Sequence, residues 1–158
     1  YEEMNGYCNR AIKLNPNCKL TLILMQVNDM EDYMKNEGSG FVQDLLQSVQ
    51  DTVRRHVGHR GIVCPLQPNL MSVVVQDINS DIKLRAFIES LRSRIAWNYR
   101  LIDPKYEISF SFGVACYPEN GMDMRIVHRK LVKALQMAQE KHANCYVIYK
   151  EHLHGELS

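Results

Sequence analysis

The sequence contains no apolar run of about 18 residues, so no segment of it reads as a membrane-spanning helix. A positively charged leader followed by an apolar stretch, the pattern of a secretory signal, is also missing. Excess charge of either sign is absent too. Lys and Arg number 19 against 18 Asp and Glu, a formal net charge of +1. No bulk field therefore draws the chain to nucleic acid or to an anionic surface. The five cysteines, Cys8, Cys18, Cys64, Cys116 and Cys145, are odd in number, widely spaced and free of any CxxC pair. That pattern argues against a disulfide framework and against a zinc site, and it suits a reducing, cytoplasmic compartment. Internal repeats and low-complexity stretches are lacking as well.

What is present is ordinary for a soluble globular domain. The chain has 158 residues, 46% of them hydrophobic and 23% charged. One compact domain with a full core fits that length. The first residue is Tyr1 rather than Met, from which we expect a segment of a longer protein.

The apolar pattern gives the elements. Residues 1–14 suit a short helix broken at Asn15-Pro16-Asn17. Leu20 to Val27 is almost wholly apolar and reads as a buried central strand. Asn28 to Lys35 suits one or two helical turns. Phe41, Val42, Leu45, Leu46, Val49 and Val53 recur at helical spacing, predicting a helix over about 41–56. Gly61 to Cys64 and Leu70 to Gln76 read as paired strands, joined by the five residues Pro65 to Asn69. Leu84, Phe87, Ile88, Leu91 and Ile95 mark a long helix to about Tyr99, with Ser80 or Asp81 as its cap. Asp103-Pro104 is a turn. Bulky Ile108, Phe110, Phe112, Val114 and Cys116 then alternate with small Ser109, Ser111, Gly113 and Ala115, which predicts a strand with one bulky and one small face. Val127, Leu131, Ala134, Leu135 and Ala138 mark a third long helix, and Cys145 to Tyr149 a last strand. The order β-α-α-β-β-α-β-α-β predicts an α+β fold, a mixed sheet of about five strands flanked by helices. Residues 1–17 form a helical lead-in, 18–150 the domain and 151–158 a tail.

An ordered set of landmarks resembles the GGDEF family of nucleotide cyclases. LILMQVNDMEDYMKNEG aligns without a gap to the family's first strand and its Asp-x-Asp and Phe-Lys-x-x-Asn-Asp segments. Gly38 and Leu45-Leu46 fall in the places of the family's turn glycine and paired leucines. Ser109 to Ala115 resembles its Thr-x-Ser-x-Gly-x-Ala strand. Ala134, Leu135 and Ala138 resemble its closing helix, and Asn144 the asparagine before its last strand.

The resemblance implies a two-magnesium site in active members, built on carboxylates and serving phosphoryl transfer. In this sequence Gln26 stands at the first metal aspartate and Asn28 at the next acidic position. Met34 stands at the substrate-contacting asparagine. Leu66, Gln67, Pro68, Asn69 and Leu70 stand at the signature, so both phosphate-approach glycines and the acidic pair are replaced. Gln139 stands at the phosphate-binding lysine. Val57 and Arg60 occupy the product-inhibition Arg-x-x-Asp. Amides cannot supply the negative charge that two divalent cations need. The expectation is a non-catalytic regulatory or interaction domain of a larger bacterial signalling or transcription-regulatory protein, with no cofactor and no metal. It would act through a protein partner or self-association, with no nucleic-acid or membrane contact of its own. The resemblance also implies a possible context, the middle region of a response regulator with an AraC-type DNA-binding domain. The alternatives are a nucleotide-binding sensor and a weak metal-dependent nucleotide hydrolase using Asp29 or Glu31.

Other clusters have plainer readings. Arg54, Arg55, His56, His59 and Arg60 could contact phosphate. They are expected instead to be a solvated helix end, where cations meet the negative end of the dipole. His56 with His59, and His152 with His154, lack a third metal ligand. Asp29, Glu31, Asp32 and Glu37 suit the solvated face of a short helix, and Asp77 and Asp81 suit linker or capping roles. Among the methionines, Met25, Met71 and Met137 are expected in the core, while Met122 and Met124 sit at a helix start.

Overall fold

The computed structural model describes residues 1–78, 80–100, 108–141 and 145–154; for Tyr99, Arg100 and His154 it describes the backbone alone. The Asp103-Pro104 turn and Asn144 lie outside the described residues. The helices are α1 (Glu2–Leu14), α2 (Met30–Glu37), α3 (Ser39–Val57), α4 (Asp81–Arg100), α5 (Met124–Glu140) and the short α6 (Glu151–His154). The strands are β1 (Leu20–Val27), β2 (Gly61–Gln67), β3 (Leu70–Gln76), β4 (Phe110–Tyr117) and β5 (Cys145–Ile148).

One sheet carries the order β2-β3-β1-β4-β5. β1 pairs antiparallel with both β3 and β4, while β4 and β5 run parallel. The mixed sheet expected from the sequence is present. Strand parity divides the core into two layers. Ile23, Met25 and Val27 of β1, with Phe110, Phe112 and Val114 of β4, pack against α3 and α4. Leu20, Leu22 and Leu24, with Ala115 and Tyr117, face Met4 and Cys8 of α1 and Val127, Leu131 and Leu135 of α5. Helices therefore cover both faces, which explains why β1 is apolar throughout.

The bulky-and-small alternation of β4 has a direct cause. Its bulky face meets the α3–α4 layer. Its small face receives α5 so closely that a Cβ at Gly113 would lie 2.3 Å from the Leu135 nitrogen and 2.9 Å from the Leu131 carbonyl oxygen.

The hairpin differs from expectation. The connection is Pro68-Asn69 alone, because β2 continues through Pro65 to Gln67 with a register shift between Pro65 and Gln67. Proline in mid-strand had suggested a loop. β2 lies at the sheet edge, where a missing N–H costs no ladder bond, and the bulge absorbs the irregularity.

The remaining expectations resolve locally. Ser80 Oγ accepts the Lys83 N–H at 3.2 Å and caps α4. Asp81 pairs with Lys150 at 2.8 Å. Met25 and Met71 are buried and Met137 is partly so, whereas Met122 is 75% exposed. All five cysteines are free thiols, and burial pushes the Cys8 thiol up to about 12. Among the described residues, no helix is long and apolar enough to cross a membrane.

The basic end of α3 is largely solvated, as expected, and two of its residues are also anchored. His56 Nε2 donates to the Phe87 carbonyl at 3.2 Å, and the Arg60 guanidinium lies over the Phe87 ring and donates to the His56 carbonyl at 2.7 Å. Arg54, Arg55 and His59 are exposed.

Two tests follow. Gly113→Ala should cost stability at the upper end of the roughly 1–3 kcal/mol typical of overpacking, read from urea unfolding midpoints. Burial lowers the His56 pKa, the Phe87 carbonyl opposes that shift, and Arg94 and Arg60 reinforce it. The unfolded imidazole takes its proton near pH 6.5, before the folded one does. Stability carried by the neutral ring is thus present above about pH 6.5 and lost as pH falls below it. Acidifying from pH 7.5 to 5 should cost the wild type more than His56→Gln in the same assay.

Candidate functional site

The C-terminal end of β1, the β2–β3 turn, the start of β4 and the end of α5 converge. The cause lies in the register: Gln26 pairs across the sheet with Leu70 on one side and Ser111 on the other. This topology brings Gln26, Asn28, Leu66 to Leu70 and Gln139 to one end of the sheet. Met34 is set apart on α2 and is 48% exposed.

Parity sends Gln26 to the α5 side of the sheet. There the Gln139 Nε2 donates to the Gln26 Oε1, tying α5 to β1 across 113 positions of sequence. Asn28 lies two residues further along. Its Nδ2 donates to Ser109 Oγ at 3.0 Å and to Ser111 Oγ at 3.1 Å, and its backbone N–H donates to the Ser109 carbonyl at 2.9 Å. The turn is tied to the same strand. The Val27 N–H donates to the Asn69 carbonyl at 2.9 Å, and Asn69 Nδ2 donates to the Val27 carbonyl at 3.2 Å. These amides are therefore engaged with one another (Gln26 and Gln139), with serine hydroxyls (Asn28) or with the backbone (Asn69), and none of them carries charge.

The carboxylates nearest in sequence are solvent-exposed. Asp29 adopts the left-handed conformation, φ 64 and ψ 27, which Asp tolerates better than most residues. Asp29, Glu31, Asp32 and Glu37 are all exposed. Glu31 and Asp32 occupy the first turn of α2, where negative charge complements the helix dipole. Among the described residues, no three His, Cys, Asp or Glu side chains are grouped as a metal ion would require. Val57 is buried and Arg60 is committed to the end of α3.

A cavity of about 380 Å³ lies between the hairpin and α3. Gln43, Gln47, Gln50 and Gln67 supply its polar groups, and Leu46, Pro68 and Met71 are among its apolar ones. No lining residue is charged.

Sequence reasoning placed the separate positions but not their bonds. It missed the Gln26–Gln139 tie and the grip of Asn69 on Val27. The parity of β1 was the available signal for the first, since even-numbered residues share the α5 face. The second depends on the two-residue turn, which the proline in β2 obscured.

Asn69→Ala should destabilise the fold by about 1 kcal/mol, the usual net worth of one such bond. Faster hydrogen exchange in the hairpin than in α3 should accompany the loss.

Comparison with known proteins comes down on one family. The family model described as "Diguanylate cyclase, GGDEF domain" matches residues 4–145. A curated relative, the uncharacterized protein sll1895 of Synechocystis, is 17% identical over 142 residues. That alignment takes in 90% of this chain but only 20% of the relative. Among solved structures, the active GGEEF domain of a diguanylate cyclase from Vibrio cholerae superimposes with a TM-score of 0.77 at 16% identity, covering 92% of this chain and 90% of that one. The GGDEF domain of DgcB from Caulobacter crescentus, solved with c-di-GMP, gives 0.76 at 13% identity, covering 93% and 86%. The FimX GGDEF domain from Pseudomonas aeruginosa gives 0.70 at 13%, covering 93% and 88%.

Proposed function

The chain belongs to the GGDEF domain family, and from that premise we propose that it is a non-catalytic regulatory and interaction domain of a larger bacterial signalling protein. The observation that carries this reading is the amide network at the end of β1. Gln26 and Asn28 occupy the positions where the family resemblance expects metal-binding carboxylates, and each is bonded to a neighbouring side chain. Divalent cations are held by hard, anionic oxygens. Two neutral amides lack the charge to offset a pair of such ions. The position of the phosphate-binding cation is likewise neutral, since Gln139 is engaged with Gln26.

The hairpin supports the same reading. Glycines would let backbone N–H groups approach a phosphate closely. Here the turn consists of Pro68, which has no N–H, and Asn69, whose amide grips β1. The nucleotide-sensor reading has the neighbouring cavity in its favour, but the wholly uncharged lining offers nothing to a triphosphate. The hydrolase reading rests on Asp29 and Glu31, which are exposed and ungrouped. A place within a transcription regulator is part of the proposal.

Incubation with GTP and magnesium or manganese, followed by chromatography, should yield neither cyclic dinucleotide nor hydrolysis product. Calorimetric titration with GTP should show no saturable heat. Product formation would overturn the reading, whereas saturable GTP binding without turnover would turn it toward a sensor.

A further inference from the structure

The corner where β4 runs into α5 carries four features that the reading above does not use. A cleft of about 1140 Å³ lies between α1 and the start of α5, with Asn5, Asn9 and Ile12 on one wall and Arg125, His128 and Arg129 on the other. It exceeds the roughly 300–1,000 Å³ of most small-molecule pockets. Met122, 75% exposed, and Ile126, 36% exposed, also line it. With Arg129 they line a second hollow of about 460 Å³ as well, so the apolar pair stands between two depressions. Arg129 is exposed and has no hydrogen bond or ion pair among the described residues. Arg125, by contrast, is held by Asp123 at 2.8 Å. Finally, Asn5 Oδ1 and His128 Nε2 are buried with no hydrogen-bond partner among the described residues. Native structures leave few such atoms unmatched.

We propose that this cleft docks an amphipathic helix of a partner protein, one that carries a carboxylate at the edge of its apolar stripe. The proposal rests on the interaction-module reading and supplies its surface. Two helices walling a groove, with exposed Met122 just before α5 and Ile126 in its first turn, suit helix-in-groove recognition. Methionine adapts its shape to an incoming apolar side chain. With Arg125 held by Asp123, Arg129 is the lining arginine without a direct ion pair, and its complement is a single carboxylate. A nucleic acid would call for a row of unpaired cations.

The test uses two fluorescein-labelled helical peptides with the same Leu/Ala stripe, one flanked by Glu and the other by Lys. Anisotropy with the 158-residue chain should show saturable binding of the Glu peptide and far weaker binding of the Lys peptide. Arg129→Glu should weaken the Glu peptide about tenfold, equivalent to about 1.4 kcal/mol, and strengthen the Lys peptide. Met122→Ser should weaken both. Both substitutions fall on exposed side chains and should leave the thermal melt unchanged. Amide shift changes on binding should centre on Asn5, Asn9 and residues 125–129. The docking proposal is overturned by equal binding of the two peptides, by no saturable binding, by indifference to Arg129→Glu, or by shifts located elsewhere. A concentration-dependent dimer abolished by Arg129→Glu in sedimentation would overturn it too, by giving the cleft to a second copy. The nucleotide assay stands apart: product from GTP sinks the non-catalytic reading, while failed peptide binding without product sinks the docking site alone.

Discussion

Everything in this fold hangs on β1 being occupied on all sides. β3 and β4 take both of its edges, the α3–α4 layer takes one face and the α1–α5 layer the other. A strand so enclosed has no exposed edge and leaves no room for a register slip, because a shift of one residue would exchange the two cores. The end of β1 is therefore a fixed point. Side chains placed there, Gln26 among them, meet neighbours set by the register of β1.

The same enclosure explains how the two faces of β4 came to differ. α5 approaches at Gly113 closely enough to exclude any side chain, while Phe110 and Phe112 fill the opposite layer. Close backbone approach on one face and bulk on the other set the distance between α5 and the sheet. That distance places Gln139 within reach of Gln26.

Much of the fold was legible because its elements carry strong periods. The apolar run of β1, the helical stripes of α3, α4 and α5 and the alternation of β4 each gave type and approximate extent. The β2–β3 hairpin was less so. Pro65 signals a loop when read locally and an edge strand only once its neighbours are known. The candidate site was legible position by position through the family landmarks, but its bonds were not. Gln26 and Gln139 are joined by folding alone: the parity of β1 gives the face of Gln26 but not its partner 113 positions away. The α1–α5 cleft was invisible for the same reason. Its walls come from opposite ends of the sequence, and an unmatched Asn5 or His128 looks like any other polar residue until burial is known.

The tie between Gln26 and Gln139 has a thermodynamic meaning of its own. Clustered carboxylates repel one another when empty, so a protein built around them gains stability when its cation binds and loses it when the cation leaves. A pair of amides has no such dependence. The bond between these two side chains carries no charge, so it does not itself depend on magnesium concentration or on ordinary changes of pH.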